Sequence, residues 1–488
     1  MTNVLEWSVY EDEPPEDEPH DEAMAVDPSW PLPALRDAYD KIRTVRRGAQ
    51  GVVYQARKKA ARNEVGTVAI KRYIYGFQEY RERGVAVAAV REPSILLGLN
   101  LTASGGASSS LLPVSPADCM IHAVDVVGAP HGEVCLVMEW CPIDLESLIV
   151  DRRVLLSLDG VRCVMRNLLC ALAWLHHPEC RRGPHEVASS STSDSTFRSN
   201  AVPEGSEEEP LGSSLSSPIM HRDVKLSNIL ISHSGLAKLS DFGSARPVSR
   251  SDESSEPTLP QRLTPPARTT TLLYRAPELL LGCASYSTKV DCWAAGVVFG
   301  ELLLGQHLFR CRNELELLHH IFRLAGTPTQ ESWPEFAALP VCEHFTFAST
   351  HSTAAETFHH ILATRFRISE VPVCETAVDL LLGLLTVNPA QRLDARAALR
   401  HPFFTDPRLL PPCPFTLRDS DEHVVRSLLT PSHCVQATTS MGGVAGPSPL
   451  NGGSRPTAAV SMPALSHLLL GDDDEDDDDD DDDVAWND

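Results

Sequence analysis

His221-Arg222-Asp223-Val224-Lys225-Leu226-Ser227-Asn228 is followed, after a short and mostly apolar run, by Asp241-Phe242-Gly243. The spacing sets a base, a cation and two oxygen ligands for a metal around one phosphate. Phosphoryl transfer asks a protein mainly to position two oxygens and to neutralise charge, so a short loop carrying Asp, Lys and Asn, then a metal-binding Asp, covers most needs. Asp223 is the candidate to orient an acceptor hydroxyl and take its proton, and Lys225 the candidate to reach the γ-phosphate. Asn228 and Asp241 offer the hard oxygens that Mg²⁺ prefers. Either tripeptide alone reads equally well as an ordinary charged turn. Both together, at this separation, leave that reading little room.

These two motifs resemble the active-site core of a protein kinase. The resemblance asks for a phosphate-gripping lysine on a strand and a glutamate on a helix to hold it. Val68-Ala69-Ile70-Lys71 has the alternating, β-branched character of a strand and supplies Lys71. Glu92 closes the Ala-rich segment 84–92, which has helix potential. A phosphate-covering loop is expected before that strand, where Gly48-Ala49-Gln50-Gly51-Val52-Val53 stands. Glycines there let backbone N–H groups approach phosphate oxygens with no Cβ between. Only Gly48, Gly51 and Val53 match the full pattern, because Arg46 occupies the first glycine position.

Further along come Ala276-Pro277-Glu278, then Asp291-Cys292-Trp293, then Arg392 in Asn388-Pro389-Ala390-Gln391-Arg392. With these, residues 40–404 resemble a eukaryotic Ser/Thr protein kinase of the group that holds the cyclin-dependent and mitogen-activated kinases. Lys225 after Asp223 is the Ser/Thr form of the loop. Thr271-Leu272-Leu273-Tyr274-Arg275 and Leu324-Ala325-Gly326-Thr327-Pro328 resemble a cyclin-dependent kinase, and no Thr-x-Tyr activation motif is present. The nearest likeness is the PITSLRE branch, although the helix that names it reads Ala86-Val87-Ala88-Ala89-Val90-Arg91-Glu92 here. The resemblance implies an α+β, bilobal fold with a β-rich N-lobe and a mainly helical C-lobe. It implies a buried ion pair of Glu278 with Arg392, Asp291 bracing the catalytic loop, ATP and Mg²⁺ as cofactors, and a cyclin-type regulatory subunit as partner.

Other roles carry over residue by residue. Met138 matches the gatekeeper, Glu139 and Cys141 the hinge groups that bond adenine, and Asp144 a ribose contact; Val45, Val53, Ala69 and Leu230 match the apolar sandwich around the base. Arg91, Arg222 and Arg246 match three arginines that gather on an activation-loop phosphothreonine, whose added charge suits arginine forks. Thr264 is the candidate phosphosite, because Pro266 stands where direct counting expects threonine. The Thr-Tyr pair through which many cell-cycle kinases are inhibited is Ala49-Gln50 here. Arg275 matches the arginine that turns a carbonyl near Thr270 away from the substrate, so Ser-Pro or Thr-Pro targets are expected, proline having no N–H to leave unbonded. Leu273 replaces the usual tryptophan beside that pocket.

Length and charge fit one kinase fold with additions. The chain has 488 residues, 42% of them hydrophobic. The expected layout is an acidic, largely disordered extension over 1–39, an N-lobe and hinge over 40–141 with a disordered insert at 101–118, and a C-lobe over 142–404 with disordered inserts at 178–218 and 251–261. A low-complexity tail over 405–488 follows. The formal charge of −24 gathers in eight acidic residues between Glu11 and Glu22 and twelve in 472–483, which leaves −4 for the rest. Such runs read as solvated tails and speak against direct nucleic-acid binding. Thirteen cysteines without a C-x-x-C pair fit a reducing interior. No apolar run approaches a membrane span and the N-terminus is acidic, so the expectation is a soluble intracellular protein, nuclear or cytoplasmic, with no membrane partner. Two alternatives to a cyclin-dependent enzyme stay open: a kinase-shaped scaffold with little catalysis, and a kinase of the same group that needs no cyclin.

Overall fold

The computed structural model describes residues 33–48, 51–59, 66–74, 85–104, 115–128, 133–154, 156–181, 217–248, 271–365 and 371–406. They divide into two compact units. The first takes the described residues up to Ala89 together with Val124–Met138, and the second takes Val90–Ala123 and those from Glu139 onward.

In the first unit a short helix, α1 (Pro33–Ala38), leads into β1 (Tyr39–Gly48), β2 (Gly51–Lys58) and β3 (Thr67–Tyr73), with β4 (Ala123–Gly128) and β5 (Val134–Glu139) completing a sheet of order β1-β2-β3-β5-β4. Strand periodicity sends alternate residues to one face. Ala56 of β2, Val68 and Ile70 of β3, and Cys135 and Val137 of β5 accordingly form one buried cluster with Leu35 and Tyr39. The β1–β2 hairpin closes with Gly48 opposite Gly51. A Cβ on Gly51 would lie 2.2 Å from the carbonyl oxygen of Arg72 on β3, so a side chain there cannot be fitted without parting the strands.

In the second unit the helix α2 (Val87–Ser104), which begins in the first, is followed by β6 (Ile143–Asp144) and α3 (Leu158–His176). The Ser157 side chain accepts from the N–H of Gly160 and caps α3. Two small sheets follow, β6-β8-β9 with β8 (Ile229–Ile231) and β9 (Ala237–Leu239), and β7 (Ile219–Met220) paired with β10 (Arg246–Pro247). The helices α4 (Pro277–Leu280), α5 (Lys289–Leu304), α6 (Glu314–Ala325), α7 (Ala354–Arg365), α8 (Val371–Leu384), α9 (Ala395–Leu399) and α10 (Pro402–Thr405) complete it. From Val290 to its end α5 is buried all round. It approaches the end of α8 closely at Gly296, where a Cβ would meet the Leu384 and Leu385 side chains at 2.9–3.0 Å.

Ordered structure reaches into the segments expected as additions. The helix α2 runs on to Ser104, Pro116–Cys119 forms a 3₁₀ turn with Cys119 fully buried, and Pro178–Cys180 forms another. Arg181 is buried and donates to the carbonyls of Leu175 and Ser217. The helix α1 likewise falls within the expected 1–39 extension, with Leu35 fully buried in the sheet core. Most of the remainder of those additions lies outside the described residues, as do Ala49-Gln50, Thr264, Pro266 and Thr270. No helix among the described residues is long and apolar enough to cross a membrane.

Candidate active site

The loop from His221 to Asn228 belongs to the second unit and is held from both sides. Asp291, at the start of α5, is fully buried; its carboxylate accepts from the backbone N–H groups of His221 and Arg222 at 2.8 Å each and from His176 Nε2 at 2.9 Å. Burial alone pushes that carboxyl up, but the His176 hydrogen bond and charge, with the His221 N–H, outweigh it and hold the group below its ordinary range. On the other side His221 Nδ1 accepts from the Asp223 N–H at 3.3 Å, so Nε2 carries the proton and donates to the Ser240 carbonyl at 3.0 Å. The ring meets Phe242 edge-on at 4.9 Å.

Two residues of the site have left-handed backbone, Arg222 at φ 65° and Asp241 at φ 62°. The conformation costs an L-residue about 1–2 kcal/mol, and strain of this kind persists where surrounding bonds over-determine it. At Arg222 those bonds are the Asp291 carboxylate on its N–H and the Ser244 carbonyl on its Nε at 2.7 Å.

The four residues singled out for chemistry come together. Asp223 Oδ1 accepts from Thr271 Oγ1 at 2.8 Å, and Oδ2 accepts from Asn228 Nδ2 at 3.0 Å and from Lys225 Nζ at 2.8 Å. Lys225 Nζ also donates to Thr271 Oγ1 at 2.9 Å. The Ser240 N–H and hydroxyl both donate to the Asn228 carbonyl at 2.9 Å, which holds Asp241, the next residue, beside Asn228. Glu92 of α2 is buried and accepts from the Phe242 N–H at 3.2 Å. Lys71 is buried on β3 in the first unit, 5.3 Å from the Tyr73 ring centre. Arg46, Val53 and Lys71 stand opposite one another across β1, β2 and β3, so the residue in the first glycine position shares a row with the lysine.

The nucleotide candidates fall in both units. Gly48, Gly51, Val45, Val53, Ala69 and Met138 are in the first, with Val45 exposed and Met138 buried at the end of β5. In the second, Asp144 pairs with Leu230 between β6 and β8. Glu139 Oε1 accepts from the His122 N–H and from buried Lys238 Nζ, both at 2.8 Å. Burial and the Glu139 charge push the buried Cys141 thiol up to about 12. The Asp144 carboxylate, expected at a ribose, accepts from the Ser147 N–H and hydroxyl at 2.8 Å. That is a helix-capping arrangement, and Asp followed by Ser three residues on was its signal.

The arginines singled out for regulation also converge. Arg91 Nη1 reaches the Gly243 carbonyl at 3.4 Å, and its guanidinium is held below its ordinary pKa by burial, then by the charges of Arg222 and Arg246. Arg275 is buried and donates to Glu314 at the start of α6. Asp223, Thr271, Tyr274 and Arg275 line one cleft. Glu278 and Arg392 form the expected buried pair, bidentate at 2.7 and 2.8 Å; Arg392 also donates to the carbonyls of Thr386, Lys289 and Val387. Sequence reasoning gave no role to Thr271 as a contact of Asp223, nor to Lys238, Tyr274, Glu301 or His307. Thr271 lies 48 residues from Asp223 and no local pattern links them.

Comparison with known proteins agrees with this geometry. Residues 215–404 match the protein kinase domain family. The chain is 31% identical over 371 residues to a probable cyclin-dependent kinase 10 of Dictyostelium discoideum, covering 75% of this chain and 79% of that protein. It is 30% identical over 386 residues to the serine/threonine-protein kinase ppk23 of Schizosaccharomyces pombe, covering 78% and 76%. The serine/threonine-protein kinase PITSLRE of Drosophila melanogaster is 30% identical over 387 residues, which span 78% of this chain and 33% of that longer protein. Among solved structures, a chain of the CAK complex from Chaetomium thermophilum bound to ATP-γ-S superposes with a TM-score of 0.55 at 28% identity, over 77% of this chain and 93% of that one. This chain therefore belongs to the family of cyclin-dependent-type serine/threonine protein kinases.

Proposed function

We propose that the chain is a catalytically active, ATP-dependent protein kinase that phosphorylates Ser or Thr followed by proline and works with a cyclin-type subunit. The observation that carries the reading is the Asp223 carboxylate, fixed by Thr271, Asn228 and Lys225 within 3.0 Å. Asp223 orients the acceptor hydroxyl and takes its proton as the oxygen attacks, and Lys225 neutralises charge on the transferred group. ATP with Mg²⁺ supplies that group when bound. The donor set fits the ion: Asn228 turns its amide nitrogen toward Asp223, leaving the amide oxygen as a hard ligand, and Asp241 is held beside it. In this reading Lys71 and Glu92 serve the nucleotide phosphates, Gly48 and Gly51 leave room for them, and Glu139 and Cys141 bond adenine between Val45, Val53, Ala69, Met138 and Leu230. Asp144 and its neighbours stand at the ribose.

Support for a regulatory subunit comes from relatives called cyclin-dependent and from α2, which exposes Val87, Val90 and Leu97. Proline direction rests on Arg275, buried at the edge of the Asp223 cleft. Arg91, Arg222 and Arg246 are assigned to a phosphorylated residue of the activation segment, with Thr264 as the candidate.

The test is phosphotransfer by the tagged chain recovered from its own cells, on matched Ser-Pro and Ser-Ala peptides, with an Asp241→Asn control and the co-purified proteins identified. Transfer confined to Ser-Pro, abolished by the control and accompanied by a cyclin is the expected result. No transfer above the control, with a cyclin bound, assigns the chain to a scaffolding role instead. Full activity without any partner removes the cyclin from the proposal.

A further inference from the structure

We propose that the acidic segment 11–22 of this chain docks on the cationic ribbon formed by β1 and β2, and that it thereby competes with nucleotide phosphates for the face that carries Lys71. The docking stands apart from phosphotransfer, whereas the competition rests on the reading that Lys71 serves those phosphates.

Residues 39–59 hold seven Lys and Arg side chains against one carboxylate, Asp40. Six of the seven are exposed. Lys59 takes Asp40, at 3.8 Å, while Arg46, Arg47, Arg57 and Lys58 meet no carboxylate among the described residues. The rest of the chain is nearly neutral once the two acidic runs are set aside, so a ribbon of one sign is a local departure. Charges also guard an edge strand against pairing, and β1 is the edge of its sheet. Charges of both signs would serve that purpose; one sign alone draws an anion.

Strand pairing fixes where these charges stand. Arg46 is opposite Val53 and Arg43 opposite Gln55, and those two are in turn opposite Lys71 and Ala69. Arg57 lies two residues beyond Gln55, opposite Thr67. Alternation along β2 puts Val53, Gln55 and Arg57 on one face, so Arg43, Arg46 and Arg57 share the face of Lys71. The Arg43 Nε bond to Gln55 Oε1, at 2.8 Å, lies on that face. The anion to meet them is close in the chain. Segment 11–22 holds eight carboxylates and lies outside the described residues. Ten residues join Glu22 to α1, whose Leu35 is buried in one cluster with Tyr39, the first residue of β1. Extended, a tether of that length spans about 35 Å, and β1 itself, ten residues long, is about as long. The tether therefore reaches the whole ribbon. Exposed ion pairs are weak singly, but a short tether sets a local concentration on the order of millimolar. The other acidic run begins 66 residues after Asp406, and local concentration falls as a tether lengthens.

A fluorescent synthetic peptide of residues 9–24 is titrated by anisotropy into the full-length wild type and into a full-length chain whose eight carboxylates in 11–22 are changed to the matching amides. With the built-in competitor removed, the peptide is expected to bind about tenfold more tightly, the factor that a millimolar local concentration gives against a peptide of ~0.1 mM affinity. Arg46→Gln, Arg47→Gln and Arg57→Gln together, in the amide chain, are expected to weaken binding about tenfold or more at an unchanged melting temperature. Raising salt from about 0.05 to about 0.3 M is expected to weaken it too. MgATP is expected to displace the peptide. Carbodiimide coupling in the dilute wild-type chain reads the same contact without any variant, as a bond from Lys58 or Lys59 to a carboxylate of 11–22. Equal affinity of wild-type and amide chains leaves the ribbon to an outside anion and overturns the docking, as does binding that survives the three arginine substitutions. Tighter binding on changing 472–483 to amides instead gives the ribbon to that run and overturns the choice of 11–22. Peptide that MgATP does not displace overturns the competition alone. Failure of the wild type to exceed the Asp241→Asn control in phosphotransfer overturns the kinase reading and leaves the docking in place.

Discussion

The second unit buries positive charge in two contrasting ways. Arg392 is matched: Glu278 meets it with two parallel hydrogen bonds, three carbonyls take further N–H groups, and the Trp293 ring centre lies 5.2 Å from the guanidinium carbon. Arg91 is pressed by like charge, its ionisation disfavoured by burial and by Arg222 and Arg246. The first arrangement is complete as folded and joins α4 to the loop before α9. The second is the arrangement that an added anion is expected to stabilise. The two arginines thus differ in their surroundings: one meets a carboxylate and carbonyls, the other meets like charge, and the regulatory role proposed for the second rests on that difference.

The largest effect expected from this contrast is at the matched pair. Truncating one partner of a buried pair leaves the other charge without its counter-ion and costs roughly 3–5 kcal/mol. Glu278→Ala and Arg392→Met are each expected to lower the urea midpoint by the equivalent of that loss, and the double substitution by less than the two added together. Additive losses would mean that the two side chains do not act as a pair, and the comparison would fail at its firmer end.

How much of this was legible in the sequence depends on how far the chemistry constrains spacing. The convergence of Asp223, Lys225, Asn228 and Asp241 was legible because the chemistry expected of them calls for those side chains on adjoining loops. Lys71 was legible because Val68-Ala69-Ile70 has strand alternation, and Val68 and Ile70 do enter the sheet core. Glu278 and Arg392, 114 residues apart, were expected only through resemblance to a family. Thr271, Lys238 and the hydrogen-bonded chain of Tyr274, Glu301 and His307 were not legible, since Tyr274 and Glu301 meet only after α5 has packed beneath the turn at Thr271. The length of α2 was misjudged at its far end: the Ser-rich stretch after Leu101 reads as loop, yet the helix continues to Ser104. Helix ends are set by capping and packing more than by composition.

An intermediate effect is expected from anions. A ligand that binds only the folded state stabilises it by about 2.7 kcal/mol at a hundred times its dissociation constant. Phosphate added to the unphosphorylated chain should raise its melting temperature through the Arg91, Arg222 and Arg246 cluster. Because phosphate also stabilises proteins by exclusion from their surface, the informative quantity is the difference between wild type and Arg246→Gln at equal salt. An equal rise in both would separate the cluster from anion binding and remove the contrast with Arg392.

The smallest effect is the most discriminating, because its sign departs from the usual one. Most substitutions of a half-buried residue destabilise, by about 1 kcal/mol on average. Arg91→Gln removes a hydrogen bond to Gly243 of 3.4 Å, at the long end of useful geometry, and also removes the repulsion from Arg222 and Arg246. Without added anion the two changes oppose each other, so the urea midpoint is expected to stay within the equivalent of about 0.5 kcal/mol of wild type or to rise. With phosphate present the wild type gains and the variant gains less, so the order of their stabilities reverses or widens in favour of the wild type. A loss of several kcal/mol in Arg91→Gln without anion would show that Arg91 is matched as Arg392 is, and the anion site would then have to be sought elsewhere.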